Sequence, residues 1–139
     1  MKTLSIFDII GPNMIGPSSS HTAGALQIAK IAREDINDTI TKATFIMYGS
    51  FARTYDGHGT DKALLGGILG YDTTDHRIKD AFANADASRL QYEFVADYDT
   101  EPDHPNTVDI IIETKSGNTI KVRGISTGGG DAEIISIER

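Results

Sequence analysis

The clearest periodicity lies near the C-terminus. Val108, Ile110 and Ile112 alternate there with Asp109 and Glu113, Ser116-Gly117-Asn118 supplies a turn, and Ile120 and Val122 alternate with Lys121 and Arg123. Apolar residues at every second position line one face of a strand, so the segment predicts a β-hairpin with a single buried face. A helical period holds earlier. Gln27, Lys30 and Arg33 recur every third residue among Ala25, Leu26, Ile28, Ala29, Ile31 and Ala32, which predicts a mostly buried helix from about Thr22 to Ile36. Gly11-Pro12 and Gly16-Pro17 punctuate the approach to it, and Ser18, Ser19 and Ser20 offer N-cap hydroxyls.

The β-branched and aromatic run Ala43 to Gly49 predicts a strand, and the glycine-rich stretch Asp56 to Thr60 leads into a second helix from about Asp61 to Leu69. Ile78 and Phe82 mark a third helix over about Asp75 to Ala85. Further strands are expected at Arg89 to Ala96 and, after the glycines 128–130, at Ala132 to Ile137. Helices early and an antiparallel meander late make a single-domain α+β fold, a mostly antiparallel sheet covered by helices. Nothing favours a doubly wound parallel sheet.

Composition narrows the function. A chain of 139 residues, 39% hydrophobic, can bury one proper core, and no repeat or linker divides it. With 13 Lys+Arg against 20 Asp+Glu the net charge is -7, which opposes the basic stripe that nucleic acid binding requires. No stretch approaches the roughly 20 apolar residues of a bilayer span, and the N-terminus lacks the pattern of a secretion signal, so a cytoplasmic protein with no membrane partner is expected. Zero Cys excludes disulfides, cysteine nucleophiles and thiolate-held metal clusters within the chain.

Three of the four histidines fall in segments without periodicity: His21 in GPSSSHT, His58 in DGHGTD and His104 in DHPNT. Loops held by a scaffold are where polar catalytic groups collect. His76, among the charges of DHRIKD, reads as a solvated helix face. GPSSSHT places hydroxyls at a helix N-terminus, where unpaired N–H groups and the positive end of the macrodipole suit a carboxylate or phosphate. DGHGTD repeats the arrangement, with Thr60 and Asp61 opening the second helix. A tight glycine turn, or capping serines without a ligand, accounts for these segments equally simply. The glycines 128–130 have neither dinucleotide spacing nor a phosphate-loop lysine. A serine hydrolase is disfavoured because no GxSxG elbow is present. A metal site built from His21, His58 and His104 lacks the short spacing of helical metal motifs, and no metal is expected in this chain.

SIFDIIGPNMIGPSSSHTAGA, GSFARTYDGHGTDKALLGG, HPNT and GISTGGGDAEI, in that order, cover nearly the whole chain. Together they strongly resemble the beta chain of the bacterial iron–sulfur-dependent L-serine dehydratases, also the N-terminal domain of the single-chain enzymes. The resemblance implies elimination of water from L-serine to aminoacrylate, then pyruvate and ammonia, without pyridoxal phosphate, in amino-acid degradation. It implies a [4Fe-4S] cluster bound by an alpha chain, whose open iron acts as Lewis acid on the departing hydroxyl. This chain would then be active only with that partner. Ser18, Ser19, Ser20, His21 and Thr22 would bind the substrate carboxylate, with His21 also a catalytic candidate. His58 would be the base that takes the α-proton, and Thr60, Asp61, His104 and Asn106 would complete the polar shell. Arg53 is either a further carboxylate contact or a surface charge. The family's beta chain often continues into a small ACT-type domain, which the expected single domain, residues 1–139, does not include. Symmetric association of beta domains is compatible with the sequence. The same domain type resembles a module of some D-3-phosphoglycerate dehydrogenases that binds serine or an anion without chemistry.

Overall fold

The computed structural model describes residues 19–34, 36–54, 59–72, 75–128 and 131–139. Helix α1 (Ser19–Glu34) precedes strand β1 (Ile40–Tyr48), a short helix α2 (Gly49–Thr54) and helix α3 (Thr60–Ile68). A 3-10 segment (His76–Asp80) runs into α4 (Ala81–Ala87), and the strands β2 (Gln91–Asp97), β3 (Thr107–Thr114), β4 (Thr119–Gly128) and β5 (Asp131–Glu138) follow. The sheet has five strands in the order β2-β1-β3-β4-β5. Every pair is antiparallel except β1 with β2. The α+β expectation therefore holds. The parallel pair is an addition, made possible because α2, α3 and α4 fill the long crossover that parallel strands require.

The core forms as the alternation predicts. Phe45 and Met47 from β1, Val108, Ile110 and Ile112 from β3, and Val122 from β4 pool with Leu26 and Ile28 of α1 and Leu64 and Leu65 of α3. Phe45 stacks on Phe94 of β2 with ring centroids 5.0 Å apart, and Phe82 of α4 meets Phe94 edge-on at 6.1 Å. Two glycines set the helix packing. A Cβ at Gly67 of α3 would lie 2.5 Å from the Leu26 carbonyl oxygen, and one at Gly124 of β4 would lie 2.5 Å from the Ile28 Cγ2. Gly70, just past α3, sits against the Arg33 guanidinium. Helices α1 and α3 thus run side by side in the same direction, with their N-termini at one end of the sheet.

Several boundaries differ from expectation for local reasons. Helix α1 already includes Ser19 and Ser20, ahead of the expected start at Thr22. Ile31, expected inside, is 36% exposed because it shares a helix face with Gln27 and Glu34. Helix α2 escapes periodicity because it has only 6 residues, yet it buries Phe51 and Ala52. The third expected helix divides into a 3-10 turn, started by Asp75 accepting the Arg77 N–H at 2.9 Å, and α4. Ile78 is buried, and His76 is exposed as expected.

Candidate functional site

The strand register determines what collects at each end of the sheet. The C-terminal ends of β1, β2 and β4 and the N-terminal ends of β3 and β5 coincide, because β1 runs parallel to β2 and antiparallel to β3, and so on across. The N-termini of α1 and α3 lie at this same end. Three of the sequence motifs touch there directly. The Ser50 N–H at the start of α2 donates to the Pro105 carbonyl at 2.7 Å, and the Ser126 N–H of β4 donates to the Asn106 carbonyl at 3.0 Å. The HPNT segment is thereby pinned on one side by GSFART and on the other by GISTGGG.

Two glycines allow the approach. Gly49 has φ 55 and its missing Cβ would overlap the Pro105 carbonyl, while a Cβ on Gly24 of α1 would overlap the Ser126 side chain. The beginning of α1, which carries Ser19 to Thr22, therefore rests on β4 just where β4 holds Asn106. Any side chain at these positions would push the segments apart.

Within the pinned segment, His104 is half-buried and its ring Nδ1 accepts the Asn106 backbone N–H at 3.1 Å. The Thr107 hydroxyl donates to the His104 carbonyl at 2.5 Å. A cavity of about 320 Å³ opens between α2 and this segment, lined by Gly49, Ser50, Arg53, Tyr98, Glu101 and Pro105 among others. Arg53, exposed on α2, stands at its wall.

Helix α3 opens with Gly59 as its N-cap in the left-handed region (φ 85), a residue with no side chain to offer a cap. The Ala63 N–H reaches the Gly59 carbonyl at 3.0 Å, and the Lys62 N–H donates to Asp61 Oδ1 at 2.7 Å. Thr60 is wholly buried, and its hydroxyl has no hydrogen-bond partner among the described residues. Thr22 of α1 is also buried. Thr22, Thr60, Asp61, His104 and Asn106 thus stand on elements that begin or end at one end of the sheet. The side chains of Ser19, Ser20 and His21, and all of Ser18 and His58, lie outside the described residues.

Beneath this end, on the sheet face away from the helices, lies a group that residue spacing did not reveal. Asp109 of β3 has no solvent exposure, and its carboxylate accepts the Tyr48 hydroxyl at 2.8 Å and two Arg123 hydrogen bonds at 2.7 and 2.8 Å. Burial alone would raise the Asp109 pKa. The Arg123 and Tyr48 hydrogen bonds, with the charges of Arg123 and Lys121, outweigh it and hold the carboxyl below its ordinary range. Burial first, and then the Asp109 carboxylate, push the Tyr48 phenol up to about 12. The hydrogen bonds that Arg123 donates to Asp109 raise the Arg123 pKa in turn. The group ties β1, β3 and β4 together close to Gly49, Thr107 and Ser126.

Among the described residues no cluster of three or more His, Asp or Glu is arranged to hold a metal ion. With no cysteine anywhere in the chain, it offers no ligands for an iron–sulfur cluster of the usual thiolate kind. Among the same residues no helix is long and apolar enough to cross a membrane.

Comparison with known proteins agrees with the motif arrangement. The profile of the family described as "Serine dehydratase beta chain" matches residues 5–134. The chain is 50% identical over 137 residues to the probable L-serine dehydratase, beta chain, of Bacillus subtilis, covering 99% of this chain and 61% of that one. It is 44% identical to the L-serine dehydratase, beta chain, of Peptoniphilus asaccharolyticus, covering 62% of that protein. An L-serine dehydratase of Streptomyces coelicolor is 28% identical over 143 residues, which make up 30% of its length. The chain spans about three-fifths of the length of the two beta chains it matches. The family profile runs through all four motif segments, and the chain belongs to the serine dehydratase beta chain family.

Proposed function

We propose that this chain is the substrate-binding and base-bearing half of an L-serine dehydratase, completed by an alpha chain that carries a [4Fe-4S] cluster. The observation that carries the reading is the joining of GSFART, HPNT and GISTGGG by backbone hydrogen bonds at the end where α1 and α3 begin. Two helix N-termini there point their positive dipole ends toward the same end of the sheet, a setting suited to an amino-acid carboxylate. The Thr60 hydroxyl, unpartnered among the described residues, supports the same reading. A buried hydroxyl without a hydrogen bond costs about 1–3 kcal/mol, and a ligand oxygen at the site would supply the missing partner.

In this reading Ser18, Ser19, Ser20, His21 and Thr22 hold the carboxylate. His58 removes the proton from Cα, and Thr60, Asp61, His104 and Asn106 surround the polar end of the substrate. Loss of that proton together with the hydroxyl of C3 gives aminoacrylate, which tautomerises and is hydrolysed to pyruvate and ammonia. This chain's own part is binding, orientation and proton removal. The cluster ligands belong to the partner, since no thiolate is present here. Residues 1–139 act as one beta domain.

The test is anaerobic reconstitution of this chain with an alpha chain, iron and sulfide, following pyruvate formation from L-serine with each chain omitted in turn. Activity is expected only when both are present. His58→Ala should then assemble normally and lose about 10²–10⁴-fold in turnover, the usual contribution of a positioned base. A fully clustered pair that makes no pyruvate, while this chain alone binds serine, would overturn the enzyme reading in favour of a serine-binding regulatory module.

A further inference from the structure

Of the three motif histidines, His104 is the one whose ring lies among the described residues. Its Nδ1 accepts the Asn106 backbone N–H at 3.1 Å, and a nitrogen that accepts a hydrogen bond carries no proton. Turning the ring over would put a C–H against that amide and leave the N–H unsatisfied. The rest of the segment is also held: Pro105 by Ser50, Asn106 by Ser126, and the His104 carbonyl by the Thr107 hydroxyl. The neutral imidazole therefore bears its proton on Nε2, on a ring that is only half-buried.

We propose that His104 works at this site as a fixed hydrogen-bond donor, offering its Nε2–H to an oxygen of the bound amino acid, and does not serve as a proton acceptor. The inference deepens the serine dehydratase reading and rests on it for the identity of the ligand. It divides labour between histidines: a ring held as a donor favours an oxygen of the substrate, and proton removal from carbon falls to another group. The backbone contact enforces the choice, because taking up a proton at Nδ1 would require the Asn106 hydrogen bond to break.

Two measurements test the proposal separately. Long-range proton–nitrogen correlation spectra of the nitrogen-15-labelled chain alone, at a pH where imidazoles are neutral, should show His104 with Nε2 protonated and Nδ1 bare. The opposite tautomer, or a mixture of both, would overturn the proposal whatever the chain's function. In the reconstituted two-chain enzyme, His104→Gln retains an amide N–H near the position of Nε2, whereas His104→Asn retains only an acceptor for the Asn106 N–H. The donor role predicts that His104→Gln stays within about tenfold of wild-type turnover while His104→Asn falls about 10²–10³-fold, the usual loss for a donor at a reacting centre. Equal loss in both variants, or full activity in His104→Asn, would overturn it. An inactive wild-type pair would count against the dehydratase reading and leave the spectroscopic result to decide the tautomer.

Discussion

A hydroxyl sealed from water with nothing to bond to is a feature that selection for stability alone would remove, and Thr60 carries one among the described residues. Thr60→Val removes the orphan group and keeps the shape. It should leave stability unchanged or raise it by up to about 1 kcal/mol, measured by denaturant unfolding, while lowering serine turnover in the assembled enzyme. A loss of stability in this variant would show that the hydroxyl serves the fold. At this scale the sequence was informative about residue type and silent about contacts. Thr60, Asp61, His104 and Asn106 stand out as polar residues in glycine- and proline-rich segments. The two bonds that pin HPNT, Ser50 to Pro105 and Ser126 to Asn106, join backbone atoms and leave no side-chain signature.

Between elements, the Tyr48–Asp109–Arg123 group and the close glycine contacts hold the site end together. Alternation placed Asp109 on the face opposite the core, and it is there. Its complete burial follows from the pairing of Asp109 directly with Arg123 across the hairpin, which the period of one strand cannot reveal. Asp109→Ala leaves a buried phenol without its acceptor and should destabilise the chain by about 2–3 kcal/mol. This is at or below the low end for a broken buried pair, because the Arg123 side chain keeps 41% of its exposure and is partly screened. The pH dependence has a definite sign. A folded-state carboxyl pKa below the unfolded value of about 3.9 contributes stability above that pH, lost as pH falls through the folded pKa. A phenol raised to about 12 contributes below its unfolded value of about 10 and is lost on the way up to 12. Melts of the wild type and Asp109→Asn should therefore differ most between about pH 4 and 10 and converge in acid. At the helix–sheet contact, Gly24→Ala should lower turnover, and Ser126→Gly in the same chain should restore part of it by vacating the space the new methyl needs.

For the whole molecule, the two longer helices, the C-terminal meander and the mostly antiparallel sheet were legible from period and turn residues. The place of β1 was not. A strand's own sequence tells which of its faces is buried, but its neighbours are chosen by the entire chain, and β1 takes β2 on one side and β3 on the other. Lys42 pairs with Gln91, and Thr44 with Ile111. Contacts so distant along the chain are slow to form because the intervening loop must first be closed. The β3–β4 hairpin, joined by a short turn, has no such delay. Pulse-labelling hydrogen exchange during refolding should show protection in β3 and β4 before β1, and simultaneous protection would contradict this order. On the ribosome the same wiring leaves β1 with both edges open until position 91 has emerged, and with one edge open until position 111. In that interval the nascent chain carries an apolar strand with an unpaired edge, which makes synthesis, more than the finished fold, the stage at which this protein is most exposed to aggregation.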